Sequence, residues 1–136
     1  PVITERLQLE AKMPLICLKR LRLIDGEPLM VETSYLSYTA FPDLMDADFS
    51  ENSLYDLLAA QYNALVIETN HTLEPTLLTL EESTHFELKS GQPAMLVHVV
   101  AYTTNHQPLE FCKSVIRGDR CRYYFTANTH STMIPR

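Results

Sequence analysis

Residues Leu15 to Leu36 constrain the fold more than any other part of the chain. Leu15 to Leu23 alternates as a strand, Asp25-Gly26 turns the chain, and Pro28 to Leu36 returns. An Asp-Gly step between two such runs is a hairpin signal, so antiparallel pairing is expected early. On one face of the first run lie Ile16, Leu18, Arg20 and Arg22, and Lys19 points the other way, toward solvent or a carboxylate. Two arginines continuing an apolar face are costly unless something receives their charge. Either they reach the sheet rim and pair with carboxylates, or they line a pocket for an anion, which a guanidinium grips with two parallel hydrogen bonds. Glu32 enters through the register. A two-residue Asp25-Gly26 turn pairs it with Lys19, whereas a three-residue Ile24-Asp25-Gly26 loop pairs it with Leu18, on the arginine face. Both registers are open.

The rest of the chain supplies helices and further strands. Thr4 to Leu9 reads as a short helix capped by Thr4, with Leu7 turned inward. Residues 38–53 are loop-like, anchored by Phe41, Leu44 and Phe49. Ser53 to Tyr62 is a helix, with Leu54, Leu57, Leu58 and Gln61 on one stripe, Asn52 or Ser53 at its cap and Asn63 at a left-handed exit. Leu65 to Leu73 is expected to be a strand. Thr79 and Glu82 form the capping box of a second helix ending near Leu88. Ala94 to Thr103, Leu109 to Arg117 and Arg120 to Asn128 close the chain as three strands, rich in β-branched and aromatic residues. Hairpin-joined strands with interposed helices define an α+β domain on an antiparallel sheet.

Composition narrows the partners. A chain of 136 residues forms one domain, residues 1–136, and can bury a true core. The formal net charge of −6 argues against holding nucleic acid or an anionic membrane through the general field, so any anion must be bound locally. No apolar run reaches the ~20 residues that span a bilayer, and no signal-peptide pattern opens the chain. Cys17, Cys112 and Cys121 are odd in number and lack a C-x-x-C pair, which favours reduced thiols in a cytoplasm. For the same reason the sequon at Asn70 is discounted. Pro1 leads almost directly into a helix, so the sequence is expected to be a piece of a longer chain.

Other candidate residues carry two readings each. Ser53 and Tyr55 open the long helix, whose start is either a ready anion site or an ordinary cap with an exposed tyrosine. Glu110, Cys112, Ser114 and Ile116 share one strand face, which lines a polar pocket or lies on a wet outer surface. His71, His85, His98, His106 and His130 show no zinc spacing, and Glu51 occupies the glycine position that a calcium loop starting at Asp46 requires. The sequence has no nucleophile elbow, phosphate loop or dinucleotide fingerprint, so no catalytic residue, metal or cofactor is assigned. Arg117-Gly118-Asp119-Arg120 reads as a hairpin turn rather than an adhesion motif.

RLRLIDGEPLMVETSYL, FPDL, NSLYDLL and QPLEFCKSVIRGDRCRYYF, in this order, resemble the UTRA domain, the effector-binding module of HutC-type regulators in the GntR family. The likeness runs from about Ile3 to Phe125. It implies a chorismate-lyase-like fold, a homodimer, and a small-molecule pocket that controls an N-terminal winged helix-turn-helix. Among such regulators the likeness is nearest to those answering sugar phosphates such as N-acetylglucosamine 6-phosphate. It implies that Arg20, Arg22, Ser53 and Tyr55 hold a phosphate, that Glu32 and Glu110 contact the rest of the effector, and that the three-residue hairpin loop is the one used. Ser114 is added from its shared face with Glu110. The helix-turn-helix and the domain's leading strand are outside this sequence, so DNA would be met only through the missing part, and Ile116 stands where that subgroup often has an aromatic. The alternatives are a chorismate-lyase-like enzyme acting on a small anion and a dimerisation domain with a vestigial pocket, in which internal carboxylates would neutralise both arginines.

Overall fold

The computed structural model describes residues 2–49 and 52–126. Helix α1 (Val2–Arg6) leads into strands β1 (Leu15–Ile24) and β2 (Glu27–Ser37). A 3-10 turn (Pro42–Asp46), helix α2 (Leu54–Tyr62), strand β3 (Glu68–Leu77) and helix α3 (Leu80–Phe86) follow. Strands β4 (Pro93–Thr103) and β5 (Gln107–Arg117) complete one five-stranded antiparallel sheet of order β1-β2-β5-β4-β3.

The expected α+β antiparallel architecture is present, with differences at several ends. Helix α1 begins before Thr4, which is a buried helical residue rather than a cap, while Leu7 is buried as expected. Strand β3 starts and ends later than Leu65 to Leu73 and contains Pro75. An edge strand tolerates a proline because one side of its ladder is unpaired. The third closing strand does not form. Gly118–Arg120 is a 3-10 turn, and residues 121–126 have no regular structure; residues 127 and 128 lie outside the described part. A strand returning from β5 has no edge to join, because β2 and β4 already flank β5. Gly118 is needed where it stands, since a Cβ there would meet the Pro93 carbonyl oxygen at 2.5 Å.

The β1–β2 register differs from both expectations. Asp25 and Gly26, with φ of 52° and 79°, form a two-residue turn that pairs Ile24 with Glu27. The register then slips by one residue between Arg22 and Leu23, so Leu29 is an extra residue and Glu32 lies opposite Arg20. Glu32 therefore shares the arginine face although the loop is not three residues long.

Helices cover both sheet faces. On the back, α3 closes over Val31, Val115 and Ala94 with Leu78 and Phe86, and Leu7 packs with Val100 and Phe111. On the front, α2 seats Leu54 and Leu58 on Ile16 and Leu36, with Phe41 and Leu44 alongside. Ser53 caps α2 by accepting from the Asp56 N–H at 3.1 Å, and Asn63 takes the left-handed exit, both as the sequence predicts. Thr79 and Glu82 form the capping box that starts α3. Helix α2 covers only part of the front face, and the uncovered part is where the polar residues gather.

Candidate functional site

A cavity of about 400 Å³ lies between the front of the sheet and the start of α2. All seven sequence-predicted residues line it. Arg20 and Arg22 come from β1 and Glu32 from β2; Glu110 and Ser114 come from β5, and Ser53 and Tyr55 from the α2 start. Strand alternation explains the gathering, because Arg20, Glu32 and Ser114 occupy one row across three adjacent strands.

The two arginines stand in different states. The Arg22 Nε donates to Glu32 Oε1, so this guanidinium is already met by a carboxylate. Arg20 donates from Nη2 to the Ser34 hydroxyl at 3.3 Å, but its Nε is buried with no hydrogen-bond partner among the described residues. A buried donor left unmade costs about 1–3 kcal/mol, more beside a charge. The vestigial-pocket reading required both arginines to be neutralised internally; Arg22 meets that requirement and Arg20 does not. Lys19, on the opposite face, pairs with Glu81 at 2.8 Å.

Glu110 is 2% exposed, which rules out the wet-surface reading for this residue. The Tyr55 hydroxyl donates to its Oε1 at 2.7 Å, tying the α2 start to the sheet. Burial pushes the Tyr55 phenol well above its ordinary range, and the Glu110 carboxylate adds to the shift, so the hydroxyl stays a donor. Burial likewise raises the Cys112 thiol, with Glu110 and Glu32 adding to it. Cys112 lies 3.9 Å from Glu32 Oε2 and 3.7 Å from Ser114 Oγ. The Ser53 hydroxyl accepts from the helix backbone, which leaves its own proton available to an incoming acceptor.

Several cavity residues were not singled out from sequence. Thr69, His71 and Val99 line it from β3 and β4. The signal is present in the sequence, since Thr69 and His71 are two apart on a strand and share a face, although the histidine shows no metal spacing that would single it out. Ile116 is buried on the same face, paired with Met30 and Met95, and is not a lining residue. Arg117, next in the chain, grips Asp119 with two bonds of 2.8 and 2.9 Å and the Pro28 carbonyl at 3.1 Å. The R-G-D-R segment is therefore a structural staple between strand ends. Among the described residues no group of three or more His, Cys, Asp or Glu side chains could hold a metal ion, and no helix is long and apolar enough to cross a membrane.

A half-covered sheet face with opposed guanidinium and carboxylate groups beneath a helix start is the arrangement of a small-molecule-binding domain. The chain matches the family model of the UTRA domain over residues 1–122 and belongs to that family, the effector-binding module of GntR-type transcriptional regulators. It is 32% identical over 102 residues to the HTH-type transcriptional repressor NagR of Bacillus subtilis, a match covering 74% of this chain and 41% of that one. Its fold is similar to the C-terminal domain of YurK from Bacillus subtilis, with a TM-score of 0.84, 25% identity, and coverage of 88% and 82% of the two chains. It is also similar to a GntR-family regulator from Enterococcus faecalis, with a TM-score of 0.81, 25% identity, and coverage of 91% and 88%. The chain spans about half the length of the curated relatives it matches.

Proposed function

We propose that this domain senses a small phosphorylated metabolite, a sugar phosphate, and passes its occupancy to a DNA-binding winged helix-turn-helix joined to it in a homodimeric cytoplasmic repressor. The supporting observation is the convergence of Arg20, Arg22 and the Ser53 helix start on one cavity, with the Arg20 Nε buried and unmatched. A phosphate oxygen supplies the missing acceptor. Its other oxygens suit the Ser53 hydroxyl and the first N–H groups of α2, where the helix dipole favours negative charge. In this reading Glu32 is a resident anion. The incoming phosphate takes over Arg22, and the released carboxylate, with Glu110, accepts hydrogen bonds from the sugar hydroxyls.

The domain acts by binding and not by turnover. Burial disfavours the thiolate of Cys112 and the phenolate of Tyr55, two of the groups that line the cavity. The effector can alter operator affinity only by binding two arrangements of the longer protein unequally. The role agrees with that of NagR, a transcriptional repressor.

Titration calorimetry of wild type and Arg20→Ala with a panel of sugar phosphates tests the reading. Charge-assisted hydrogen bonds are worth about 1.5–3 kcal/mol, so the variant is expected to bind about ten- to a hundredfold more weakly. Equal affinity of the two proteins for every bound sugar phosphate would remove the phosphate role.

A further inference from the structure

The register sets Arg20 straight across from Glu32, yet Arg20 enters no ion pair among the described residues. Directly opposed side chains are the nearest partners that neighbouring strands offer, and opposite charges there attract. Both arginines lean diagonally by one row instead. Arg22, opposite Met30, reaches Glu32, and Arg20 reaches past Glu32 to Ser34, which lies opposite Leu18. Ser34 has 0% exposure and is not one of the residues lining the cavity, so it meets no effector itself. A hydroxyl buried this deeply costs stability unless it is matched. Its matches are the Arg20 guanidinium on one side and Cys112, its neighbour on β5, on the other. Glu32 is held separately, with Oε1 taken by Arg22 and Oε2 lying 3.9 Å from Cys112 Sγ.

We propose that Ser34 is a positioning residue that draws the Arg20 guanidinium away from Glu32 and so keeps one of the two arginines free of any carboxylate. The use of that free charge by an anion rests on the phosphate-sensor reading above, whereas the diversion itself rests on the geometry. A guanidinium carries its N–H donors in a rigid planar fork. One donor, on Nη2, goes to Ser34 and holds the fork to that side, while Nε is left unmatched. Without the hydroxyl, the charged acceptor directly opposite Arg20 is Glu32. The carboxylate would then bridge both arginines, and an incoming anion would have to displace it from two guanidiniums instead of one. Serine suits the task because a hydroxyl accepts a hydrogen bond without cancelling the charge of its donor.

The arginine Nε–H signals of the 136-residue chain, followed by NMR without ligand, test the diversion. Wild type, Glu32→Gln, Ser34→Ala and the double variant are compared, with Arg20→Lys and Arg22→Lys assigning the two signals. With Ser34 in place, Glu32→Gln should move the Arg22 signal much more than that of Arg20. In the Ser34→Ala background the same substitution should move both. Calorimetry with glucose 6-phosphate and inorganic phosphate then tests the purpose. Ser34→Ala should weaken binding about tenfold when Glu32 is present and no more than about twofold in the Glu32→Gln background, a coupling that simple loss of packing would not produce. Ser34→Cys, which keeps a small side chain but offers only a weak acceptor, should behave as Ser34→Ala does and replaces it if thermal melts show the alanine variant unfolded. An Arg20 signal indifferent to Glu32→Gln after loss of the hydroxyl, or an equal loss of affinity in both backgrounds, overturns the role of Ser34 while the phosphate site stands. If Arg20→Ala binds both anions as wild type does, the phosphate reading fails while the NMR comparison still decides the diversion. Absence of binding by wild type overturns that reading and, with it, the purpose of Ser34.

Discussion

The two faces of the sheet are built from the same strands to opposite ends. On β5, Phe111 and Val115 turn to the back and enter apolar clusters, while Glu110, Cys112 and Ser114 turn to the front and meet a cavity. The back buries hydrocarbon and leaves its ion pair, Lys19–Glu81, at the surface, where such a pair is worth little. The front buries Glu110 and the Arg20 Nε, groups that cost stability unless matched. A chain selected only to fold would have no reason to accept that cost. The back face therefore carries stability and the front face carries recognition, and substitutions on each should separate the two properties.

Phe86→Ala on the back should have the largest effect on stability. Phe86 is 2% exposed in the α3 cluster with Leu78, Ala94 and Val115. Removing its ring should lower the unfolding free energy by about 3–5 kcal/mol in urea denaturation. Sugar-phosphate affinity per folded molecule should be unchanged. A variant of full stability, or one that stays folded but loses the ligand, would break the division between faces.

Tyr55→Phe on the front should act on both properties at once. It removes the hydroxyl that donates to the buried Glu110, and the stranded carboxylate should cost about 1–3 kcal/mol. Because the same bond ties the α2 start to β5, ligand affinity should fall together with the melting temperature. If calorimetry finds unchanged affinity, Tyr55 belongs with the structural set and the boundary between the two sets moves.

How far sequence reaches also differs between the faces. Period-two alternation places Arg20 with Arg22 on one face of β1 and Glu110 with Ser114 on one face of β5, and the Ser53 cap with its Asn63 exit locates α2, but that these faces meet in one cavity follows only from the strand pairing. Register is not legible there. The slip at Leu29 that sets Glu32 opposite Arg20 depends on the twist and packing of the assembled hairpin, which no local pattern records. The failed strand after Arg120 teaches a related lesson. Tyr123, Tyr124 and Phe125 carry strand propensity, but propensity forms a strand only where a sheet has a free edge, and β5 is central. Thr69 and His71 fall inside the strand expected over Leu65 to Leu73, but which face of it meets the cavity depends on β4, to which it pairs late in the chain.

The smallest expected effect is a pH response confined to the back. His98 packs at 5.3 Å from the Phe111 ring, and desolvation lowers its pKa below the ordinary 6.5, with Arg6 and Lys113 acting the same way and Glu74 opposing. The folded protein thus favours neutral imidazole, and the unfolded chain takes up the proton first as pH falls. The contribution of His98 is fully present above pH 6.5 and is lost as pH drops from there through the folded value. Between pH 7.5 and 5.5 the urea midpoint of wild type should fall by more than that of His98→Gln. Equal pH dependence in the two proteins would dismiss this histidine as a stability group. Because its ring lies behind the sheet, His98→Gln should also leave sugar-phosphate affinity unaltered at both pH values, and a changed affinity would mean that the faces communicate through β4.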